Sequence, residues 1–303
     1  MFDLHRLRLL RELARRGTVT EAARACALTP SAVSQQLALL QREAGSVLFV
    51  RQGRRLRLTD AGRLLAGHAD RLLADAERAR ADLAALAGSV SGPVRLSAFP
   101  TAARTLVPGA AARCRAAHPD LRVIMDERET EDGLAALTGH ETDLALVNAY
   151  GLLPPLEAPG ITLTTLLDEP FVVLLPPDRE PPSRPVPLAD LAGETWVAPY
   201  SDTSGRAALD RACAQAGFTP RVDYASNDFT VIIAIVRAGL GVALVPRLAL
   251  ESAADLPLAH PSAEPVTRRV LLAVRDGATG HPAVRALSSA LAAQAKSGTV
   301  SEM

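Results

Sequence analysis

Residues 18–37 of the chain read TVTEAARACALTPSAVSQQL and contain the start signals of two consecutive helices. Thr18 and Glu21 fit the capping box Thr-x-x-Glu, which opens the first of them. After a short turn, Thr29 suits the N-cap of the next helix, and Pro30 suits its first position, where a missing N–H costs nothing. Two helices joined by a tight turn predict a helix-turn-helix.

The residues around this pair follow helical periodicity. Apolar residues at helical spacing predict an additional first helix that ends at Gly17: Leu4, Leu7, Leu10, Leu13 and Ala14. In the helix that begins at Pro30, an apolar face is predicted to point inward (Ala32, Val33, Leu37 and Leu40) and a polar face outward (Ser31, Ser34, Gln35 and Gln36). Serine and glutamine side chains can hydrogen-bond to base edges in the major groove. The alternative is a polar face that contacts only solvent.

A short, arginine-rich hairpin is predicted directly after the helix-turn-helix. Residues 48–50 and 56–58 are strand candidates, and Gly53 supplies the turn between them. Four arginines lie along this hairpin: Arg51, Arg54, Arg55 and Arg57. A basic wing beside a recognition helix can contact phosphates or enter the minor groove. Arginine clusters elsewhere are usually solubilising, but this position favours a nucleic-acid role.

The charge of the chain is unevenly distributed, although its net charge is zero. Residues 1–60 contain eleven arginines and five acidic residues, a net charge of +6. Residues 61–88 sum to zero, and residues 89–303 carry a net charge of −6. A basic N-terminal unit on an acidic body indicates that only the first sixty residues meet a polyanion.

A long helix is predicted from the Thr59 cap to Gly88, because this stretch contains no proline and is rich in Ala, Leu, Arg and acidic residues. Apolar residues recur along it at alternating spacings of four and three, as in a coiled-coil seam: Leu65, Ala69, Leu72, Ala76, Ala79, Leu83 and Leu86. A helix of about 42 Å cannot bury such a stripe within one small domain, so we expect a dimer. The alternative is a helix that packs on its own chain.

The remaining two-thirds alternates strand and helix signals after a linker at residues 89–93. The first predicted elements are strand 94–98, a helix to about His118, strand 121–125, a helix near 134–138 and strand 143–147. Two further strands are predicted at 161–166 and 171–175, followed by helices near 206–215 and 229–238. Strands 242–245 and 270–274 and a final helix complete the order. Residues 176–187 are a proline-rich loop. This alternation predicts parallel α/β lobes that bind ligands at the carboxyl ends of their strands.

Four residues are candidates for a ligand cleft in these lobes. Thr101 follows the first strand at a predicted helix start, and Ser201 and Thr203 precede the helix near Arg206. Two facing helix N-termini with hydroxyl donors favour an anion such as a carboxylate. Asn148 ends a strand and is a further candidate. Ordinary helix capping is the alternative explanation for each hydroxyl.

Several functional classes are excluded by what the sequence lacks. The three cysteines (Cys26, Cys114 and Cys213) and six histidines show no metal-ligand spacing, and buried free thiols are expected. The single lysine, Lys296, leaves no Schiff-base lysine or P-loop, and no nucleophile elbow or dinucleotide fingerprint occurs. We therefore expect no enzyme, cofactor or metal. No apolar run approaches the ~20 residues of a membrane span, which predicts a cytoplasmic protein without membrane contact.

The first sixty residues resemble the N-terminal signature of the LysR family of transcriptional regulators. The similarity covers Thr18, Thr20, Ala22, Ala23, Cys26 and 29–37, then Leu40, Gly45, Leu48, Phe49, Arg51, Leu58, Thr59, Ala61 and Gly62. Cys26 stands where the family usually has leucine, and Gln41 where it usually has glutamate. The resemblance implies that recognition-helix residues approach DNA (Thr29, Pro30, Ser31, Ser34 and Gln35) and that Arg51 and Arg54 contact the backbone or minor groove.

The family resemblance continues with lower specificity in the remainder of the chain, at residues 92–96, 106–108, 118–119, 143–147, 216–218 and 239–246. It implies an effector domain like a periplasmic binding protein, with two lobes joined by crossing strands. It also implies a homodimer, usually extended to a homotetramer, with RNA polymerase as a further partner.

The expected fold class is therefore α+β multidomain. It combines an α-rich winged helix-turn-helix (1–59), a linker helix (60–88) and a two-lobed α/β effector domain (89–303). Lobe I is expected at about 93–166 and 267–295, and lobe II at about 167–266. The predicted function is sequence-specific DNA binding modulated by a small-molecule effector. Effector, operator, target genes and the choice between activator and repressor stay open, as does dimer against tetramer.

Overall fold

The computed structural model describes residues 1–26, 28–52, 55–86, 90–250 and 258–300. Its helices are α1 (Leu4–Arg16), α2 (Val19–Ala25), α3 (Pro30–Ala44), α4 (Asp60–Leu86), α5 (Pro100–Thr105), α6 (Val107–Ala117), α7 (Thr130–Gly139), α8 (Ser204–Gln215), α9 (Phe229–Arg237) and α10 (Pro282–Val300). Its strands are β1 (Phe49–Gln52), β2 (Arg55–Leu58), β3 (Gly92–Ala98), β4 (Leu121–Glu127), β5 (Leu144–Tyr150), β6 (Ile161–Leu174), β7 (Thr195–Ala198), β8 (Arg221–Ala225), β9 (Ala243–Pro246), β10 (Ala259–Pro261) and β11 (Thr267–Arg275).

The N-terminal domain packs α1, α2 and α3 around one apolar core. The predicted caps are confirmed: Thr18 Oγ1 accepts from the backbone N–H of Glu21, and Thr29 Oγ1 accepts from that of Ala32, both at 3.2 Å. Gly17 ends α1 with φ of 74°, a conformation that glycine adopts without steric cost. The core includes residues of all three helices: Leu7, Leu10, Leu13, Ala22, Ala23, Cys26, Val33, Leu37 and Leu40. The helix-turn-helix is therefore present.

The predicted hairpin follows as the antiparallel pair β1 and β2, in which Phe49 lies opposite Leu58. Thr59 caps α4, because its hydroxyl oxygen accepts from the N–H of Gly62 at 3.0 Å. The helix then passes so close to the chain before β1 that a methyl group on Gly62 would lie 2.0 Å from the carbonyl oxygen of Leu48. Glycine at this position lets the wing and the long helix meet.

Helix α4 has two different apolar faces. One is buried on its own chain through small residues, including Ala66, Ala69 and Ala81. It also approaches the effector domain, where a methyl group on Gly277 would meet the carbonyl oxygen of Ala74 at 2.2 Å. The other face carries the predicted seam from Leu72 onward, and it exposes Leu72, Leu83 and Leu86 by 43%, 69% and 84%. The first part of the predicted seam is corrected, because Leu65 and Ala69 pack on the core of their own chain.

The C-terminal domain is built on a mixed sheet in the order β10-β6-β11-β5-β3-β4, with β9 also paired to β6. The expectation of purely parallel lobes is corrected in this sheet. β3 pairs in parallel with β4 and β5, whereas β11 pairs antiparallel with β5 and β6. The antiparallel arrangement arises because the chain returns from the second lobe along β11. In lobe I, α5, α6 and α10 cover one face of the sheet and α7 the other.

The two strands predicted at 161–166 and 171–175 are in fact one strand, β6. Its first half pairs with β11, and residues 171–174 pair with β9 and β10, so the strand passes from one lobe into the next. Polar residues and Pro170 interrupt its apolar pattern at the crossing, which explains the error. The second lobe adds the parallel pair β7 and β8, and neither of these strands nor β10 was predicted.

The single helix predicted up to about His118 is divided into α5 and α6 at Leu106. Pro108 explains the break, because proline lacks an N–H and clashes with the preceding turn when it lies inside a helix. In the structure it occupies the first turn of α6, where it is tolerated. Among the described residues, no helix is both long and apolar enough to cross a lipid bilayer.

Candidate DNA-binding surface and effector cavity

The recognition helix α3 presents its polar face to solvent. Thr29, Pro30, Ser31, Ser34 and Gln35 are all exposed, whereas Val33, Leu37 and Leu40 on the opposite side are fully buried. The two hydroxyl oxygens of Thr29 and Ser31 lie 3.0 Å apart and hydrogen-bond to each other. Ser34 and Gln35 thus lie on one open surface in the first turns of the helix, as major-groove contact requires.

The structure corrects two predictions about the side chains of α3. Gln36 was expected to point outward, but its side-chain oxygen accepts from Arg6 Nε at 2.9 Å, which ties it to α1 and leaves it half-buried. Ala32 is also only half-buried rather than fully inward. Arg51 lies in β1, opposite Leu56, and Arg54 lies outside the described residues. Their proposed phosphate contacts stay predictions.

The C-terminal domain contains a cavity of about 300 Å³ between its lobes. Lobe I contributes Thr101 at the start of α5, the beginning of α7, and Asn148 from β5. Lobe II contributes Thr203, Ser204 and Gly205 at the start of α8. Three of the four predicted cleft residues, Thr101, Asn148 and Thr203, are therefore brought together. Ser201 is exposed and does not line this cavity.

Two of these residues have polar groups that the protein leaves unused. Thr101 is 3% exposed and Asn148 is 8% exposed, and both line the cavity. Within the described part of the chain, the Thr101 hydroxyl and the Asn148 side-chain amide have no hydrogen-bond partner, although the Asn148 backbone N–H donates to Thr130 Oγ1 at 3.0 Å. Both groups line the cavity without a partner among the described residues, so they are available to a ligand.

The hydroxyl of Thr203 is already engaged in capping helix α8. Its oxygen accepts from the N–H of Arg206 at 3.2 Å, and the hydroxyl donates to the carbonyl of Tyr200 at 2.8 Å. The other predicted helix terminus is weak, because α5 spans only six residues and the dipole of a helix grows with its length. Of the two helix starts that were expected at the cavity, α8 therefore remains, and the start of α7, which was not expected, lies there as well.

The cavity is also lined by Arg268, which the sequence reading missed. Its Nε donates to Glu169 Oε1 at 2.8 Å, and its guanidinium lies 5.1 Å from the centre of the Phe99 ring. The other Glu169 oxygen accepts from the N–H of Leu248 at 2.6 Å. Arg268 and Glu169 come from β11 and β6, which cross between the lobes, so only their pairing in the sheet brings them together.

The cavity is also lined by four negatively charged side chains. We refer to Glu129, Glu131, Asp132 and Asp202 as the acidic wall, because all four line it. Glu131 Oε1 accepts from the Ser204 hydroxyl at 3.0 Å, a hydrogen bond that joins the two lobes. Burial and then the neighbouring Glu131 and Glu127 carboxylates raise the pKa of Glu129. No local sequence pattern had indicated this wall.

The chain matches two family descriptions that together span nearly its whole length. Residues 4–63 match "Bacterial regulatory helix-turn-helix protein, lysR family", and residues 87–296 match "LysR substrate binding domain". The chain belongs to the LysR family. It is a DNA-binding transcriptional regulator with an effector-binding domain.

Relatives of this LysR protein are similar along most of their length. It is 27% identical over 275 residues to the uncharacterized HTH-type transcriptional regulator YfeR of Shigella flexneri, covering 90% of this chain and 88% of that one. It is 28% identical over 277 residues to the HTH-type transcriptional activator IlvY of Salmonella typhimurium, covering 90% and 89%.

Solved structures show the same fold. A full-length OxyR variant from Pseudomonas aeruginosa, in which a cysteine is replaced by aspartate, aligns with a TM-score of 0.60 at 24% identity, covering 98% of this chain and 95% of that one. HinK, a LysR family transcriptional regulator from Pseudomonas aeruginosa, aligns with a TM-score of 0.59 at 21% identity, covering 97% and 99%. The winged helix-turn-helix, long helix and two-lobed α/β domain thus form the architecture found in these LysR structures.

The cysteines of this LysR protein are structural. Cys26, Cys114 and Cys213 are all free and buried, as expected, and burial raises the pKa of each thiol, that of Cys213 to about 12. Among the described residues, no group of three or more His, Cys, Asp or Glu side chains is placed to hold a metal ion.

Proposed function

We propose that this chain is a sequence-specific regulator whose DNA affinity or geometry responds to a small effector that carries an anionic group, such as a carboxylate. The observation that carries this proposal is the interlobe cavity, in which the buried polar groups of Thr101 and Asn148 have no partner among the described residues. A ligand that accepts or donates hydrogen bonds there can engage both groups directly, because they line the cavity.

The anionic part of the effector is proposed to lie against Arg268. The guanidinium has five N–H donors, and Glu169 engages only part of them. The Thr101 hydroxyl and the Asn148 amide add neutral donors, and the start of α8 supplies backbone N–H groups at Ser204 and Gly205. Ser201 and Thr203 are retained as secondary candidates, although capping already uses the Thr203 hydroxyl.

On DNA, the exposed face of α3 is proposed to approach the major groove and read base edges, with Thr29, Pro30, Ser31, Ser34 and Gln35 as its contact residues. Arg51 and Arg54 of the wing are proposed to contact phosphates or the minor groove. The net charge of +6 in residues 1–60 supports this arrangement, since phosphate contacts supply most of the affinity of such domains.

The active assembly is proposed to be a homodimer through α4, extended to a homotetramer. The exposed stripe of Leu72, Leu83 and Leu86 supports a helix-to-helix contact, because an apolar seam of this kind is normally covered. A two-fold dimer places two recognition helices on related half-sites. We propose the boundaries 1–59, 60–88 and 89–303 for the three units.

Helix α7 is proposed to connect the effector cavity to the DNA-binding domain. Its first residues, Thr130 and Glu131, line the cavity. At its other end, the carbonyl of Gly139 accepts from Arg8 Nη1 of α1 at 3.4 Å, and Gly139 lies against the carbonyl of Ala25 in α2. A lobe movement on effector binding would therefore shift the helix-turn-helix, which changes DNA bending and access of RNA polymerase.

The alternative class, an enzyme that merely carries a helix-turn-helix, is not favoured, because the relatives to which the chain is similar are transcriptional regulators. We propose that the chain has no catalytic activity, needs no cofactor and acts in the cytoplasm, where the DNA is found.

The test is binding of the full-length protein to DNA upstream of its own gene, against a scrambled duplex, across a salt series. Tight binding to the upstream DNA alone, with steep weakening by salt, is expected. A matched variant, Gln35→Ala, should show a smaller preference for upstream DNA than the wild type. Equal, weak binding to both duplexes by the wild type would overturn sequence-specific regulation at this site.

A further inference from the structure

The effector cavity is lined by more carboxylates than cationic side chains. Its acidic wall contributes four carboxylates, and Arg268 is the single cationic side chain among the described residues that line it. The charge of Arg268 is already matched by Glu169, whose Oε1 lies 2.7 Å from Arg268 Nη2. A simple carboxylate entering this cavity would therefore meet a net negative surface.

Most of the acidic wall has no partner of its own. Glu131 accepts a hydrogen bond from Ser204, but within the residues that the structure describes, no hydrogen bond or ion pair engages the carboxylates of Glu129, Asp132 or Asp202. Glu129 is half-buried, and its raised pKa reflects first burial and then the repulsion of Glu131, Glu127 and Asp132, which Arg268 opposes. A positive charge placed beside Glu129 would stabilise its ionised form.

A metal ion does not explain these carboxylates. A bound divalent cation needs several oxygens converging on one point. Among the described residues, no three acidic, histidine or cysteine side chains are so placed. Glu129, Glu131 and Asp132 come from the start of α7 in lobe I, and Asp202 comes from lobe II. This distribution fits an organic cation, such as an ammonium or guanidinium group, attached to a larger molecule.

Building on the proposed effector site, we infer that the effector is a zwitterion. Its carboxylate or other anionic group lies toward Arg268, Thr101 and Asn148. Its cationic group lies toward the acidic wall, between Glu129 and Asp202. Thr101 and Asn148, both more than nine-tenths buried and unpartnered among the described residues, mark the polar end. A cavity of about 300 Å³ accommodates a molecule of the size of an amino acid.

The test uses isothermal titration calorimetry on the full-length protein with three matched sets of probes. Each set has a zwitterion, its amine-free acid and its carboxylate-free amine: 4-aminobutanoate, butanoate and propylamine; leucine, 4-methylpentanoate and 3-methylbutylamine; phenylalanine, 3-phenylpropanoate and 2-phenylethylamine. In at least one set, the zwitterion is expected to bind about tenfold or more tightly than either partner, because a buried charge-assisted contact is lost with each deleted group.

The variant Glu129→Gln separates the charge of the carboxylate from its shape. It should bring the affinity for the zwitterion to that for the amine-free acid, and Asp132→Asn should reduce it in the same direction. Asp178→Asn, at an exposed position outside the cavity, is the matched control and should bind like the wild type. Thermal unfolding of each ligand-free variant verifies that it folds.

Three results would overturn the inference. They are amine-free acids that bind as tightly as their zwitterions in all three sets, a Glu129→Gln variant that keeps the zwitterion preference, and a lack of binding by all three zwitterions. The second result would mean that Glu129 acts as a neutral hydrogen-bonding group. None of these three results tests the DNA-binding proposal, because that proposal is tested separately by the titration with upstream DNA. The two proposals can therefore fail independently.

Discussion

Arg268 and Glu169 form a buried ion pair at the crossing between the lobes, with Arg268 Nη2 2.7 Å from Glu169 Oε1. Their side chains are only 1% and 6% exposed. Because β6 and β11 run antiparallel here, the two residues lie next to each other in the sheet although 99 positions separate them in the chain. The pair therefore fixes the guanidinium beside the effector cavity.

Removing one member of this pair should strongly destabilise the effector domain. Glu169→Gln leaves Arg268 buried without its counter-charge, and such a loss costs about 3–5 kcal/mol. Urea unfolding can be followed by the fluorescence of Trp196, the single tryptophan of the chain. Glu194→Gln is the control, since its pair with Arg179 is half-exposed and is worth about 1 kcal/mol or less. Equal effects of the two substitutions would contradict a structural role for the buried pair.

Features that depend on residues close together in the sequence could be predicted, whereas features that depend on residues far apart in the sequence could not. The helix-turn-helix was predictable because Thr18, Thr29 and Gly17 act within four residues of themselves. The position of Thr101 and Asn148 beside the interlobe cavity was predictable because clefts form at the carboxyl ends of parallel strands. Arg268 and the acidic wall were missed because strand pairing and lobe closure assemble them from distant segments. The same limit hid the continuity of β6 across Pro170, where the apolar pattern breaks.

Two glycines of α4 should respond oppositely to alanine. Gly62→Ala places a methyl group 2.0 Å from the Leu48 carbonyl oxygen, so it should destabilise the N-terminal domain and weaken DNA binding. Gly67→Ala meets nothing within 4 Å and should instead stabilise the helix by about 1 kcal/mol. Thermal unfolding by circular dichroism measures both variants. A stabilising Gly62→Ala would show that the wing and α4 are not in close contact.

Base reading and phosphate contact should separate in the N-terminal domain. Ser34→Ala and Gln35→Ala should each weaken binding to upstream DNA by about 1–3 kcal/mol and leave binding to scrambled DNA unchanged. Arg51→Ala should weaken both and lower the salt slope by about one. Fluorescence anisotropy on both duplexes measures these constants, with the exposed Ser183→Ala in the effector domain as a control. Uniform losses across all variants would assign the α3 residues to the backbone.

The stability of the protein should depend on pH through His140. Its pKa falls to about 3, because burial disfavours the charged ring and because Arg275, Arg8, Arg11 and Arg80 repel it. Glu77, whose Oε1 lies 3.5 Å from His140 Nδ1, opposes this only in part. The unfolded chain binds the proton near pH 6.5, at the ordinary histidine pKa. The contribution of neutral His140 to the free energy of unfolding is therefore fully present above about pH 6.5 and is lost progressively as the pH falls toward 3.

His140→Asn tests this linkage. Asparagine tolerates the left-handed conformation of position 140, where φ is 63°, so the backbone at the end of α7 should be retained. The fall in melting temperature from about pH 7.5 to about pH 5 should be shallower in this variant than in the wild type. Parallel melting curves over this range would show that His140 titrates at its ordinary pKa in the folded chain.

The exposed stripe of α4 should determine the oligomeric state. Leu83→Glu puts a charge into the predicted seam, where two copies would bury it without a partner, so the protein should become monomeric at concentrations where the wild type is dimeric. Leu64→Glu is the matched control, because Leu64 is exposed to a similar extent, 66% against 69%, but lies on another face of the same helix. Light scattering coupled to size-exclusion chromatography gives the mass of each variant. If Leu64→Glu dissociates the protein and Leu83→Glu does not, the interface lies on the neighbouring face of α4 that carries Leu64. In that case the stripe of Leu72, Leu83 and Leu86 needs another partner.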